Sequence, residues 1–111
     1  MKNSNPAFDD EYLFQAAAEA ANEGENNKAL EILEKVLSTN PKHAMAWQVK
    51  ANCLDSLGKC KEALQSYDAA IDLDPYNSEN WFNKGLTLKR LGLERDSQTC
   101  MDMAVKLALG E

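Results

Sequence analysis

Residues 80–92 read NWFNKGLTLKRLG, and residues 46–58 read AWQVKANCLDSLG. Counted from Trp81 and Trp47, the same offsets follow in both stretches. Lysine comes three residues on (Lys84, Lys50) and a small residue four on (Gly85, Ala51). Leu88 and Leu54 come next, then Leu91-Gly92 and Leu57-Gly58. The two stretches stand 34 residues apart. One more step back places Leu13 in the tryptophan's role, with Ala17 and Gly24 in register behind it. The downstream half of the unit repeats as well. Ala29, Ala63 and Ser97 correspond, as do Leu33, Tyr67 and Met101, and Val36, Ala70 and Ala104. Pro41 and Pro75 punctuate, with Leu109 where a third proline would fall. The period tiles residues 10–43, 44–77 and 78–111, and leaves 1–9 in front.

The spacing inside one unit is that of two helices. Trp47, Ala51, Leu54 and Leu57 follow the three- and four-residue steps that place side chains on one helix face. Ala63, Tyr67, Ala70 and Ile71 do the same further on. Gly58 between them has no Cβ and accepts the positive φ that ends a helix. Asp74-Pro75 closes the second helix, because proline lacks an N–H and disfavours helix in the residue before it. Helices are predicted over 10–23, 27–38, 43–57, 60–73, 78–91 and 94–108. Residues 1–9 are expected to be a flexible segment, apart from capping by Asp9 or Asp10. Small residues such as Ala51 and Ala63 let paired helices approach, and Trp47 and Tyr67 fill the remaining space. One such pair has too little core to stand alone, so about three must stack.

A 34-residue unit with Trp, a small residue four on, Leu, Gly, Ala, a large residue and Pro resembles the tetratricopeptide repeat. The resemblance covers about nine-tenths of the chain and is closest in AWQVKANCLDSLGKCKEALQSYDAAIDLDP. The sequence departs from the family at Lys50 and Lys84, where leucine is usual. It departs again in the first unit, with Leu13 for Trp and Glu23 before Gly24. The resemblance implies an all-α fold: an α-solenoid of three helix-turn-helix repeats, with six antiparallel helices in a right-handed superhelical stack.

Composition narrows the function. Twelve basic against eighteen acidic residues give a net charge of −6. Nucleic-acid binding draws on Lys and Arg displacing counterions at phosphates, so no nucleic acid is expected, and no anionic membrane surface. No apolar run approaches a membrane span, and the start MKNSNPAFDDEY has no signal-like apolar region. A cytoplasmic protein is the simplest expectation. Three cysteines without a secretory signal point to reduced thiols.

The sequence holds no phosphate loop, GxSxG or HExxH, and no enzyme is expected. His43, beside Pro41, reads as a surface turn residue. Cys53, Cys60 and Cys100 lack metal-ligand spacing and read as small packing residues. No metal and no cofactor is expected. Glu25, Glu31 and Glu34 near Lys28 and Lys35 read as solvated positions with weak i,i+4 pairs.

In a stack of this family the first helix of each pair lines a concave groove. The resemblance therefore assigns partner contact to Phe14 and Gln15, to Met45, Gln48, Val49, Asn52, Asp55 and Ser56, and to Phe82, Asn83, Leu86, Lys89 and Arg90. Apolar Phe14, Met45, Val49, Phe82 and Leu86 suit a recognition surface. One branch of the family grips acidic chaperone tails with lysines, asparagines and an arginine. The corresponding positions here are Phe14, Ala18, Val49, Glu79 and Asn83, and four of the five roles are lost. No chaperone-tail binding is expected. At the C-terminal end Met101, Val105 and Leu109 form a candidate self-association face. Ser97 and Gln98, replacing Ala and Leu of the earlier units, read there as polar capping substitutions. The expectation is a non-catalytic protein-interaction module binding a peptide or helix of a partner protein. The alternative is a structural unit that forms homo-oligomers, as a dimer or end to end.

Overall fold

A computed structural model of the chain describes residues 9–111. All but the last residue of the expected flexible segment 1–9 lies outside the described residues. Six helices follow in order: α1 (Asp10–Asn22), α2 (Asn26–Thr39), α3 (Ala44–Ser56), α4 (Cys60–Leu73), α5 (Ser78–Arg90) and α6 (Glu94–Ala108). The described residues contain no strand.

Helix ends repeat with the sequence period. Asp9 caps α1 by accepting from the Tyr12 amide at 2.9 Å. His43 Nδ1 caps α3 by accepting from the Ala46 amide at 3.1 Å. Asn77 Oδ1 caps α5 by accepting from the Glu79 amide at 3.0 Å. Each cap satisfies an N–H that the first helical turn leaves without a partner. His43 is therefore a half-buried cap, not the surface turn residue expected from its neighbour Pro41. At the other end of these helices Gly24, Gly58 and Gly92 all adopt φ near +80°. The amide after each glycine returns to a carbonyl five residues back: Glu25 to Ala20, Lys59 to Leu54 and Leu93 to Leu88, at 2.8–2.9 Å. Glycine reverses the chain here at no Cβ cost, and the next helix starts two residues later.

Within each pair the small positions are sealed. Ala17, Ala51, Ala29 and Ala63 are fully buried, with Leu33, Val36 and Tyr67 filling the space beside them. In the last pair Gly85 stands where the others have alanine. A Cβ there would lie 3.1 Å from the Met101 side chain, so Met101 lies flat over the glycine. Ser97 is buried against α5 and donates to the Gly85 carbonyl at 2.8 Å. This overturns the reading of Ser97 as a substitution on the terminal face. It faces into its own pair.

The pairs stack through α2–α3 and α4–α5. On one side α3 also touches both α1 and α5, whereas among the described residues α2, α4 and α6 do not touch one another. The stack therefore curves toward the α1–α3–α5 side, within extents of 51 × 30 × 20 Å.

The stacking explains the lysines that depart from the family. Lys50 Nζ lies 5.0 Å from the Trp47 ring centre and 3.7 Å from Glu34 of the preceding pair. Lys84 lies 5.9 Å from Trp81 and 2.6 Å from Asp68. Each lysine thus lays its stem along the stack and joins its own tryptophan to a carboxylate one pair back. Both indoles donate backwards as well, Trp47 to the Pro41 carbonyl at 2.8 Å and Trp81 to the Pro75 carbonyl at 2.9 Å. Glu34 is accordingly an inter-pair partner, where the sequence pattern had offered only pairs along its own helix.

Asn80 stands out at the α4–α5 contact. It occupies the position of fully buried Ala46, and its Oδ1 is buried without a hydrogen-bond partner. An unmatched buried polar group costs about 1–3 kcal/mol. Asn80→Ala should therefore raise stability by about 1 kcal/mol, measured by thermal or urea unfolding. For Lys84–Asp68, whose carboxylate is about half exposed, a double-mutant cycle should return a coupling of roughly 0.2–1 kcal/mol that fades with salt.

Candidate partner-binding face

The inward-curving side of α1, α3 and α5 holds two adjoining clefts. One, of about 150 Å³, is lined by Ala18, Ala21, Asn22, Asn26, Val49, Asn52, Cys53 and Ser56. The other, of about 340 Å³, is lined by Asn52, Asp55, Ser56, Tyr67, Asn83 and Arg90. Asn52 and Ser56 belong to both, so the clefts run on from one to the next.

A hydrogen-bonded network forms the floor of the larger cleft. Tyr67 reaches through from α4 and donates to Asn52 Oδ1 at 2.7 Å. The same oxygen accepts from Asn83 Nδ2 at 3.4 Å. Asp55 accepts from the Thr87 hydroxyl at 2.8 Å and from the Arg90 guanidinium. Its side chain is only 11% exposed while that of Arg90 is 54% exposed, so the pair presents its cation to solvent. Burial pushes the Tyr67 hydroxyl well above its usual range, the Asp55 charge adds to the rise, and Arg90 opposes it. Tyr67 remains a donor at any physiological pH.

Of the residues assigned to the groove, the structure brings Val49, Asn52, Asn83 and Arg90 together on these clefts. Phe14 is not on the open face. It is 9% exposed and packs its ring 4.7 Å from His43, between the first and second pairs. Gln48 is buried too, its Oε1 accepting from Asn77 at 3.3 Å. Both occupy one repeat position, and in both cases the cap of the next odd-numbered helix covers them. Phe82 occupies the same position in the last pair and is 46% exposed. It lines a different cleft, at the C-terminal end. Gln15 is exposed and bonded to Glu11 at 2.9 Å, on the N-terminal end face. Met45, Leu86 and Lys89 are exposed and line neither inward cleft. Tyr67 was read only as core; its hydroxyl, where the other units have Leu33 and Met101, was the one available signal of a second role.

Two of the three thiols are packing groups, while Cys60 is half-buried and donates to Asp55 Oδ1 at 3.8 Å. Cys53 and Cys100 are buried, and burial raises both thiols. Among the described residues no group of three His, Cys, Asp or Glu is placed to hold a metal. Among them, too, no helix is long and apolar enough to cross a membrane.

A family model described as tetratricopeptide repeat matches residues 66–100. The chain belongs to the tetratricopeptide-repeat family. Over residues 7–73 this repeat protein also belongs to the family described as alkyl sulfatase dimerisation. An uncharacterized protein of Methanocaldococcus jannaschii is 30% identical over 73 residues, 66% of this chain and 85% of that protein. The mouse protein O-mannosyl-transferase TMTC1 is 36% identical over 64 residues, 54% of this chain and 7% of its own length. Among solved structures, MamA from Desulfovibrio magneticus RS-1 superposes with a TM-score of 0.89 at 17% identity, over 96% of this chain and 60% of that one. The Yersinia enterocolitica type III secretion translocator chaperone SycD, in an alternative dimer, gives 0.89 at 16% identity, over 97% and 80%. The repeat protein spans about three-fifths of the MamA chains it matches.

The Tyr67 hydroxyl and ring are separable. Tyr67→Phe should cost about 1 kcal/mol, the worth of one hydrogen bond. Tyr67→Ala should cost roughly 3–5 kcal/mol through the cavity it leaves. Urea unfolding of the two variants checks both figures.

Proposed function

We propose that the chain is a non-catalytic protein-interaction module that takes a peptide or helix of a partner protein along the α1–α3–α5 side. The observation that carries this reading is the continuous pair of clefts floored by Asn52. Asn83 and Arg90 present N–H donors there, and a partner's backbone carbonyls need donors. Val49 and Ala18 supply apolar contact beside them. The groups with nucleophilic potential are engaged within the fold: Cys53 is sealed, the half-buried Cys60 thiol donates to Asp55 Oδ1 at 3.8 Å, and the Tyr67 proton is held against Asn52.

Recognition of an acidic chaperone tail does not fit this surface. Glu79 would repel a carboxylate, and Arg90 is already matched by Asp55. A neutral or mildly acidic segment making backbone hydrogen bonds fits better. Retrieving a partner with the wild-type chain and retesting it against Asn83→Ala/Arg90→Glu is the direct experiment. Affinity should fall at least about tenfold, roughly 1.4 kcal/mol, while circular dichroism shows the helices intact at the assay temperature, with a melting point lowered by the loss of the Asn52 and Asp55 partners. A partner that binds both forms equally removes the inward face from consideration.

Self-association is the second reading, and the dimerisation family matched over residues 7–73 favours it. That match falls on α1 to α4, so a copy-to-copy contact of this kind would use the first two pairs. Of the α6 residues expected to serve it, Met101 is half-buried over Gly85, while Val105 and Leu109 are exposed. A monomer mass at every concentration in light scattering discards this reading.

A further inference from the structure

The two seams of the stack are built differently. Where the second pair meets the first, α3 contributes Ala46, Val49 and Cys53. These join Phe14, Leu33 and Val36, or Ala20 and Ala29, in apolar clusters. One period on, where the third pair meets the second, α5 contributes Asn80, Asn83 and Thr87, and Gln48 stands in place of Phe14. Asn80, Thr87 and Gln48 are all buried. Hydrogen bonds cross this second seam: Gln48 with Asn77, Asn52 with Asn83, and Asp55 with Thr87 and Arg90. The lysine–carboxylate and tryptophan–carbonyl contacts occur at both seams and do not distinguish them.

Parting the first seam exposes apolar surface to water, which is unfavourable in proportion to its area. Parting the second exchanges hydrogen bonds within the protein for hydrogen bonds to water, at small net cost. Asn80 Oδ1 has no partner while the seam is closed, and it gains one from water when the seam opens. The turn 74–77 joins α4 to α5 at one end, where the Trp81 indole holds the Pro75 carbonyl. Asp55, Thr87 and Arg90 lie toward the opposite end, because α3 and α5 both run away from their preceding turns. We infer that the third pair swings as a rigid body on the first two about the 74–77 turn, while the first seam stays shut. The larger cleft takes Asn52, Asp55 and Tyr67 from one side of the second seam and Asn83 and Arg90 from the other. The swing therefore sets its width. The smaller cleft straddles the first seam, with Ala18 and Ala21 facing Val49 and Cys53, and keeps its shape. The motion belongs to the seam and stands whether or not either cleft takes a partner.

Cys53 and Thr87 occupy the same place in the two seams and are 1% and 0% exposed. A chain carrying Thr87→Cys and Cys60→Ser therefore holds a matched thiol in each seam. Labelling by a small thiol reagent under native conditions, resolved by peptide mass spectrometry and divided by each site's rate in the unfolded chain, reads how often each seam opens. The thiol at 87 should label at least about tenfold faster than Cys53, a factor in keeping with the cost of the unmatched Asn80 oxygen. Adding Asn80→Ala and Asn83→Val, which copies the first seam, should remove most of that difference and leave the Cys53 rate unchanged. Because Thr87→Cys itself gives up the Asp55 bond, this exchange is the deciding comparison. In a separate chain a thiol from Ser97→Cys, inside the third pair, should label slowly. Equal labelling at 53 and 87 overturns the inference, as does a difference that survives the exchange. Labelling at 97 as fast as at 87 overturns it too, since the third pair then unfolds and does not swing. Should Thr87→Cys lose helicity in circular dichroism, Asn80→Cys takes over the comparison with Cys53, and Asn83→Val the exchange.

Discussion

Two antiparallel helices approach closely only where neither carries bulk at their crossing. That constraint is met at one place in each pair, by Ala17 with Ala29, Ala51 with Ala63, and Gly85 with Ser97, all buried. Everything else in the stack is arranged around those contacts. The large residue one turn away, Leu33, Tyr67 or Met101, fills the volume that the small ones leave. The glycine reversals then fix where each returning helix starts. Because the last crossing uses glycine, the flexible Met101 can lie across it, and the third pair closes without an aromatic ring.

Curvature follows from the same geometry and produces the candidate site. With α3 in contact with both α1 and α5, their inward positions are neither fully covered nor fully open. Polar side chains placed there must find partners, and they do so across pairs: Asn52 with Tyr67 and Asn83, Asp55 with Thr87 and Arg90. The network ties the second pair to the third and leaves the outward N–H groups of Asn83 and Arg90 facing solvent. One set of hydrogen bonds therefore serves both cohesion and the surface offered to a partner.

The fold was legible because its determinants are local. Every predicted helix boundary lies within one residue of the observed one, set by Gly24, Gly58, Gly92 and the residues before Pro41 and Pro75. The site was only half legible. Phe14 and Gln48 sit on the helix face expected to be open, but a one-dimensional period gives a residue's face and not the neighbour that covers it. The caps of α3 and α5, His43 and Asn77, close over that position. Phe82, at the same position in the third pair, is 46% exposed and has no such cap over it. Ser97 was misplaced for a related reason: a polar letter in a terminal unit looks like surface, yet a hydroxyl can satisfy a helix carbonyl inside. Contacts 16 residues apart, such as Glu34 with Lys50 and Asp68 with Lys84, leave no mark in a helical period. They are visible only when both repeats are aligned and the same charge pair recurs.

That recurrence bears on specificity more than on stability. Exposed ion pairs of this kind contribute little free energy, and the apolar residues between pairs, such as Phe14, Leu33, Val36 and Ala46, are non-directional in what they bury. A slip of one helical turn at the α4–α5 contact would bring Asn80 or Leu88 level with Asp68 in place of Lys84. The carboxylate would lose its cation, and Trp81 would be drawn off the Pro75 carbonyl. The stack thus uses weak, directional contacts to select among alternatives that apolar burial alone would leave close in energy.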